Sequence, residues 1–215
     1  MLQVKIKASS VRNLTDARYF AAREVEWIGF PLQPGQEDAI TPATAKSIIE
    51  WIDGVKVIGE FEFLPAEEIL EMHRQVWFDA VQVGMFASQE ELKKLSELTL
   101  IQEVVVEKST TADELSKHFS ANAAYCDFFL LNFEKTGLTW KFLLENEALP
   151  LDSLKKITKQ YSMIVSLNFS KENVREILNT LQPYGISLAG GAEEKVGVKS
   201  FDELDDVFDQ LELPE

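Results

Sequence analysis

Short β-rich runs alternate with amphipathic helical stretches from one end of the chain to the other, and this alternation limits the fold more than any other feature. Strands are expected at Leu2–Ala8, Glu26–Leu32, Val55–Phe61, Asp79–Val83, Ile101–Val106, Cys126–Leu131, Ser162–Leu167 and Gly185–Ala189. They are short and apolar throughout, as parallel strands buried on both faces must be. Within 215 residues, eight such strand–helix units leave about 27 residues each, close to the minimum for a strand, a helix and two short loops. The pattern argues for a parallel α/β sheet. Periodicity alone leaves two closures open, an eight-stranded barrel and a doubly wound open sheet. No Gly- or Ser-rich linker or composition break divides the chain, so one domain over residues 1–215 is expected.

The helices carry their own punctuation. The first places Leu14, Ala17, Ala21 and Ala22 at helical spacing. Thr41-Pro42 opens the second with a capping residue followed by proline at the first helical position, and Ala45, Ile48, Ile49 and Ile52 form its apolar stripe. Further helices are expected at Pro65–Val76, at Gln89–Leu98 capped by Ser88, and more weakly at Ala112–Phe119. Helical pieces near Thr139–Asn146 and Leu151–Lys159 make the least regular unit. Ser170 is read as the cap of Glu172–Leu181, and Phe201–Leu211 closes the series.

Composition excludes several functions. The formal charge of −15 comes from 36 acidic and 21 basic side chains, a surface that repels phosphate backbones, so no nucleic-acid partner is expected. No apolar run approaches the about 18 residues of a membrane span, and the N-terminal apolar stretch is too short for a signal peptide; a cytoplasmic location is expected. Cys126 is the one cysteine, which rules out an intramolecular disulfide and reads as an inert packing thiol. His73 and His118 stand apart in polar helical stretches and read as surface residues, so neither a metal site nor a cofactor is expected. Trp27, Trp51, Trp77 and Trp140 read as helix–sheet packing residues.

Colinear segments resemble the phosphoribosylanthranilate isomerase family. Val4-Lys5-Ile6 is similar to the opening of that family's first strand, and Asp16-Ala17 to the start of its first helix. Gly29-Phe30, Pro34 and Ile40-Thr41-Pro42 resemble its second strand and following loop, and Asp79-Ala80-Val81-Gln82 its fourth strand. Thr136-Gly137 with Trp140 resembles the loop after strand six, Glu172-Asn173-Val174 the start of the seventh helix, and Gly191-Ala192-Glu193 with Gly197-Val198-Lys199 the loop after strand eight. The resemblance implies a single (β/α)8 TIM barrel of class α/β. It also implies an Amadori rearrangement of a phosphorylated aminoaldose at the C-terminal mouth, using a cysteine base and an aspartate acid.

At those positions this sequence departs from the family. Lys7 stands where the resemblance places the base, and Asn132, whose amide cannot donate a proton as a carboxylic acid does, stands where it places the acid. Asp38 replaces the arginine that would hold the substrate carboxylate, and Leu167-Asn168 replaces a phosphate-binding glycine pair. Gly190-Gly191 could still offer backbone amides to an anion or could simply make a turn, and Gln82 and Asn132 could contact a polar ligand or satisfy each other. Lys7 is expected to pair with Glu107 or Glu60 rather than act as a Schiff-base lysine. The function expected is a catalytically degenerate family barrel, kept as a binding or partner protein that takes a phosphorylated small molecule. The alternative is an active isomerase, or another sugar-phosphate isomerase or lyase using Lys7. No particular protein partner is implied.

Overall fold

The computed structural model describes residues 2–190, 193–195 and 198–212. Eight strands, β1 (Lys5–Ser9), β2 (Trp27–Pro31), β3 (Lys56–Glu60), β4 (Ala80–Gly84), β5 (Thr99–Val105), β6 (Phe128–Asn132), β7 (Met163–Ser166) and β8 (Gly185–Ala189), pair in sequence order. Every neighbouring pair is parallel, and β1 also pairs with β8, opposing Lys5 to Gly185 and Lys7 to Ser187, so the sheet closes into a barrel. That settles the closure which periodicity left open: the fold is the (β/α)8 barrel.

Around the strands lie α1 (Leu14–Ala22), α2 (Pro42–Ile49), α3 (Ala66–Gln75), α4 (Gln89–Lys94), α5 (Ala112–Asn122), α6 (Trp140–Glu145), α7 (Leu151–Gln160) and α8 (Val174–Leu181). A two-stranded antiparallel hairpin, β9 (Glu193–Lys195) and β10 (Val198–Lys199), precedes α9 (Asp202–Leu211). Thr41 and Ser88 cap α2 and α4 as expected, each hydroxyl accepting a backbone N–H three residues on.

The differences from expectation have local causes. Leu2 does not enter β1: it bridges antiparallel to Glu212, and Gln3 N–H donates to the Leu211 carbonyl at 2.9 Å, because β2 offers no partner that early. Helix α5 runs on to Asn122, started by a full capping box between Thr111 and Glu114. Helix α8 begins only at Val174: Ser170 contributes its carbonyl, not its hydroxyl, to the Asn173 and Val174 N–H groups.

Successive strand residues point to opposite faces. The outward set, including Ile6, Ile28, Val57, Val81, Leu100, Phe129 and Val165, packs under the helices. The inward set forms a separate layer of Trp27, Ile58, Ala80, Ile101, Leu130 and Ile164, all at most 3% exposed. Below it Trp27, Phe128 and Tyr184 meet with centroids 5.0 to 6.0 Å apart and plug the N-terminal end. Trp27 therefore fills the barrel interior rather than a helix–sheet seam. Trp140 is buried, but Trp51 and Trp77 are 70% and 71% exposed, against the packing role expected of them.

The histidines also differ from expectation, for both are partly buried. His118 Nε2 lies 3.0 Å from Gln102 Oε1, and desolvation lowers its pKa. His73 packs against Trp77 and Phe78. Burial pushes the Cys126 thiol up to about 12, consistent with an inert cysteine. No helix among the described residues is long and apolar enough to cross a membrane.

Emptying the interior layer leaves a cavity that a closed barrel cannot collapse. Trp27→Ala should lower unfolding free energy in urea by about 3–5 kcal/mol, against about 0.5 kcal/mol or less for Trp51→Ala and Trp77→Ala.

Candidate functional site at the barrel mouth

Two residues beyond the apolar layer, on the same inward face, the strands turn polar. Gly29, Glu60, Gln82, Glu103, Asn132 and Ser166 follow Trp27, Ile58, Ala80, Ile101, Leu130 and Ile164 at that spacing, and Lys7 and Ser187 complete the circle from β1 and β8. All these side chains are buried, Lys7 completely. A cleft of about 250 Å³ opens above them, lined by Glu60, Gln82, Glu103 and Asn132 from the strands and by Gln36, Glu62, Glu134 and Lys135 from the loops.

One wall is organised around Lys7. Its ammonium donates to Glu60 Oε1 and, at 2.7 Å, to Ser9 Oγ, which in turn lies 2.5 Å from Ser187 Oγ. This is the expected carboxylate partner, chosen between the two considered: Glu107 is exposed on the far side of the barrel mouth, where its backbone N–H bonds Thr110. Glu60 reaches Lys7 by crossing β2, and glycine makes the crossing possible. A Cβ on Gly29 would stand 2.1 Å from Glu60 Oε1. The other carboxylate oxygen of Glu60 accepts from the Ser10 N–H at 3.0 Å and hydroxyl at 3.2 Å, holding the β1–α1 loop where Ser10 takes a left-handed φ of 52°.

The opposite wall is organised around Glu103. Asn132 Nδ2 donates to its Oε1 at 2.7 Å and Lys135 Nζ to its Oε2 at 2.9 Å. The side-chain oxygen of Asn132, Oδ1, accepts the backbone N–H of Lys135 at 2.9 Å. Lys135 also reaches Glu62, at 2.5 Å, and Gln36 donates to the second oxygen of Glu62. Desolvation is the largest effect on Lys135 and pulls its pKa down, but Glu103 and Glu62 together outweigh it and leave the value raised. Glu62 is held below its ordinary value chiefly by the hydrogen bond from Lys135. Ser166 Oγ donates to Glu134 at 2.9 Å.

The sequence-derived positions divide between this wall and others. Lys7, Gln82 and Asn132 converge on the mouth. Gln82 and Asn132 do not satisfy each other: Asn132 is committed to Glu103, and Gln82 Oε1 has no hydrogen-bond partner among the described residues. Asp38 lies outside the cleft, largely exposed and paired with Arg12, so it faces that guanidinium rather than the mouth. Asn168 and Gly190 border a second cleft of about 330 Å³ between the β7–α8 loop and α9. There the Asn168 carbonyl accepts from Asn173 Nδ2, and a Cβ on Gly190 would stand 2.7 Å from an Asp16 carboxylate oxygen. Gly191 lies outside the described residues. Sequence reading missed Gly29, Glu103, Glu62 and Lys135. Glu103 had a visible signal, a charge inside an apolar strand two residues after Ile101; Lys135 had none.

A buried ion pair broken at one end leaves a charge without compensation. Glu60→Ala should therefore cost about 3–5 kcal/mol of unfolding free energy, and Gly29→Ala a comparable amount because its methyl displaces the same carboxylate. Stability to urea unchanged in Gly29→Ala would show that the crossing is not what holds Lys7. The Glu62 shift also sets a pH dependence: with a depressed folded pKa, its contribution is full above the ordinary carboxylate value and fades as pH falls through the folded one. Lys135→Met should flatten that acid limb of the stability curve.

The chain is similar to known proteins along nearly its whole length. A family model described as N-(5'phosphoribosyl)anthranilate (PRA) isomerase matches residues 6–210. The N-(5'-phosphoribosyl)anthranilate isomerase of Maridesulfovibrio salexigens is 24% identical over 207 residues, covering 96% of this chain and 98% of that protein. The Thermotoga maritima protein of the same name is 23% identical over 202 residues, covering 94% and 95%. Among solved structures, phosphoribosyl anthranilate isomerase from Thermus thermophilus superposes with a TM-score of 0.76 at 24% identity, covering 96% of this chain and 98% of that one. The enzyme from Pyrococcus furiosus gives 0.74 at 15% identity, covering 96% and 98%.

Proposed function

The chain belongs to the N-(5'-phosphoribosyl)anthranilate isomerase family, and from that premise we propose that its barrel binds a small polar ligand without performing the family's isomerisation. The observation that carries this reading is the commitment of both residues at the catalytic positions. Asn132 spends its amide on Glu103 and has no acidic proton to give, and Lys7 is buried against Glu60 and Ser9. Ring opening needs a proton donor at one end of the sugar and a base at the other, with pKa values pushed apart. Removing one such group typically lowers the rate by about 10²- to 10⁴-fold. Charge argues the same way: Glu60, Glu62, Glu103 and Glu134 surround a mouth that would have to receive a carboxylated, phosphorylated substrate. The single cysteine agrees with a cytoplasmic setting.

A second reading, a working isomerase, draws support from the match along nearly the whole chain to relatives named as isomerases. In it, Lys7 and Glu103, on opposite sides of the barrel, would take over base and acid.

Turnover separates the two. The purified protein, given freshly made phosphoribosylanthranilate and followed by loss of its fluorescence, should show no rate above the uncatalysed one, and its gene should not rescue a tryptophan auxotroph lacking the isomerase. Rescue at normal expression would establish the second reading, and Glu103→Gln should then abolish it. Lys7→Cys with Asn132→Asp should recover little activity, since Glu60 would lose its cation and the acidic rim would remain.

A further inference from the structure

The hydrogen bonds of the mouth leave its charge unbalanced. Glu60 is answered by Lys7, and Glu62 and Glu103 share Lys135. Glu134 receives a neutral hydroxyl, that of Ser166. Among the described residues, four carboxylates thus meet two ammonium groups around one cleft.

A second observation is independent of that charge. Gln82 stands in the cleft wall between Glu60 and Glu103, 6% exposed, and its buried Oε1 has no hydrogen-bond partner among the described residues. Buried polar groups in folded proteins are almost always satisfied, so an unsatisfied amide in a cleft wall is a place for a polar group of a ligand to arrive. The terminal amide turns about its last bond, so either face of it can be offered to a ligand.

The carboxylates select positive charge, and the unsatisfied amide of Gln82 adds a polar partner for the same group. The cleft of about 250 Å³ lies below the roughly 300–1,000 Å³ of ordinary ligand pockets, so the group is small. No cluster of three or more His, Cys, Asp or Glu side chains converges as a metal cage would among the described residues, which favours an organic cation over a metal ion. The net charge of −15 draws cations toward the surface and repels phosphates.

We propose that the mouth binds a small organic cation, an alkylammonium or guanidinium compound, whose N–H groups meet Gln82 and the carboxylate of Glu134. The proposal rests on the reading that the mouth no longer serves the anionic isomerase substrate.

The full-length protein, isotopically labelled, would be titrated with agmatine and putrescine at constant ionic strength while side-chain amide resonances are followed by NMR. Inorganic phosphate and ribose 5-phosphate serve as anionic probes in parallel. Agmatine or putrescine should saturate at one molecule per chain and shift the Gln82 amide resonances, and neither anion should do so. Gln82→Leu should weaken binding about tenfold or more, the loss of one charge-assisted hydrogen bond. Glu134→Gln, at an exposed position that cannot upset the core, should weaken it as well and raise its tolerance of neither anion. Cations that fail to saturate, or that bind equally well to both variants, would overturn the proposal. So would saturation of the mouth by phosphate or ribose 5-phosphate. Turnover of phosphoribosylanthranilate would instead overturn the reading beneath it, and that assay is separate from the titration.

Discussion

Closure of the sheet is the constraint from which the rest of the molecule follows. Once β1 pairs with β8 as well as β2, no strand of the barrel has a free edge, and the inward side chains of all eight must share one small volume. The lower part of that volume is filled by Trp27, Ile58, Ala80, Ile101, Leu130 and Ile164 and sealed by aromatic rings. Its upper part is polar, and polar groups packed that closely must satisfy one another. Lys7 gives its ammonium to Glu60 and Ser9, and Glu60 reaches it across the position where β2 carries Gly29, a place a Cβ would block.

The same crowding shapes what the mouth can do. In (β/α)8 barrels the C-terminal rim is where active sites lie, and a rim residue can act on a ligand only if it is not already spent on a neighbour. Here Asn132, Lys135, Glu103 and Glu62 form one connected network, and Lys7, Glu60 and the serines form another. Such networks hold their members firmly, but they leave few donors and acceptors over. Gln82 Oε1 is one left over in the mouth. A scaffold can thus keep its architecture while the substituents at its strand ends change the ligand it suits.

Much of the barrel was legible in the chain because its signals are local. Strand and helix periods, the Thr41-Pro42 start and the Ser88 cap each need only neighbouring residues, and they were met in place. The boundaries that shifted did so where a distant partner intervened. Leu2 left β1 for the end of α9, and Trp51 and Trp77 lay on faces that no other element covers.

The site divides the same way. Residue order placed Lys7, Gln82 and Asn132 near strand ends, and alternation with period two said which residues share a face with them, but not which face looks inward. It also determined, through the resemblance, which family positions had changed. Only the tertiary structure decided which carboxylate answers Lys7, since Glu60 and Glu107 are equally acidic on paper and differ only in where closure puts them. It alone brought Glu103, Lys135 and Glu62 into contact and turned Asp38 away to Arg12. The physical reason is that alternation and propensity act over a few residues. Ion pairing acts between side chains far apart in sequence, and those become neighbours only when the last strand meets the first.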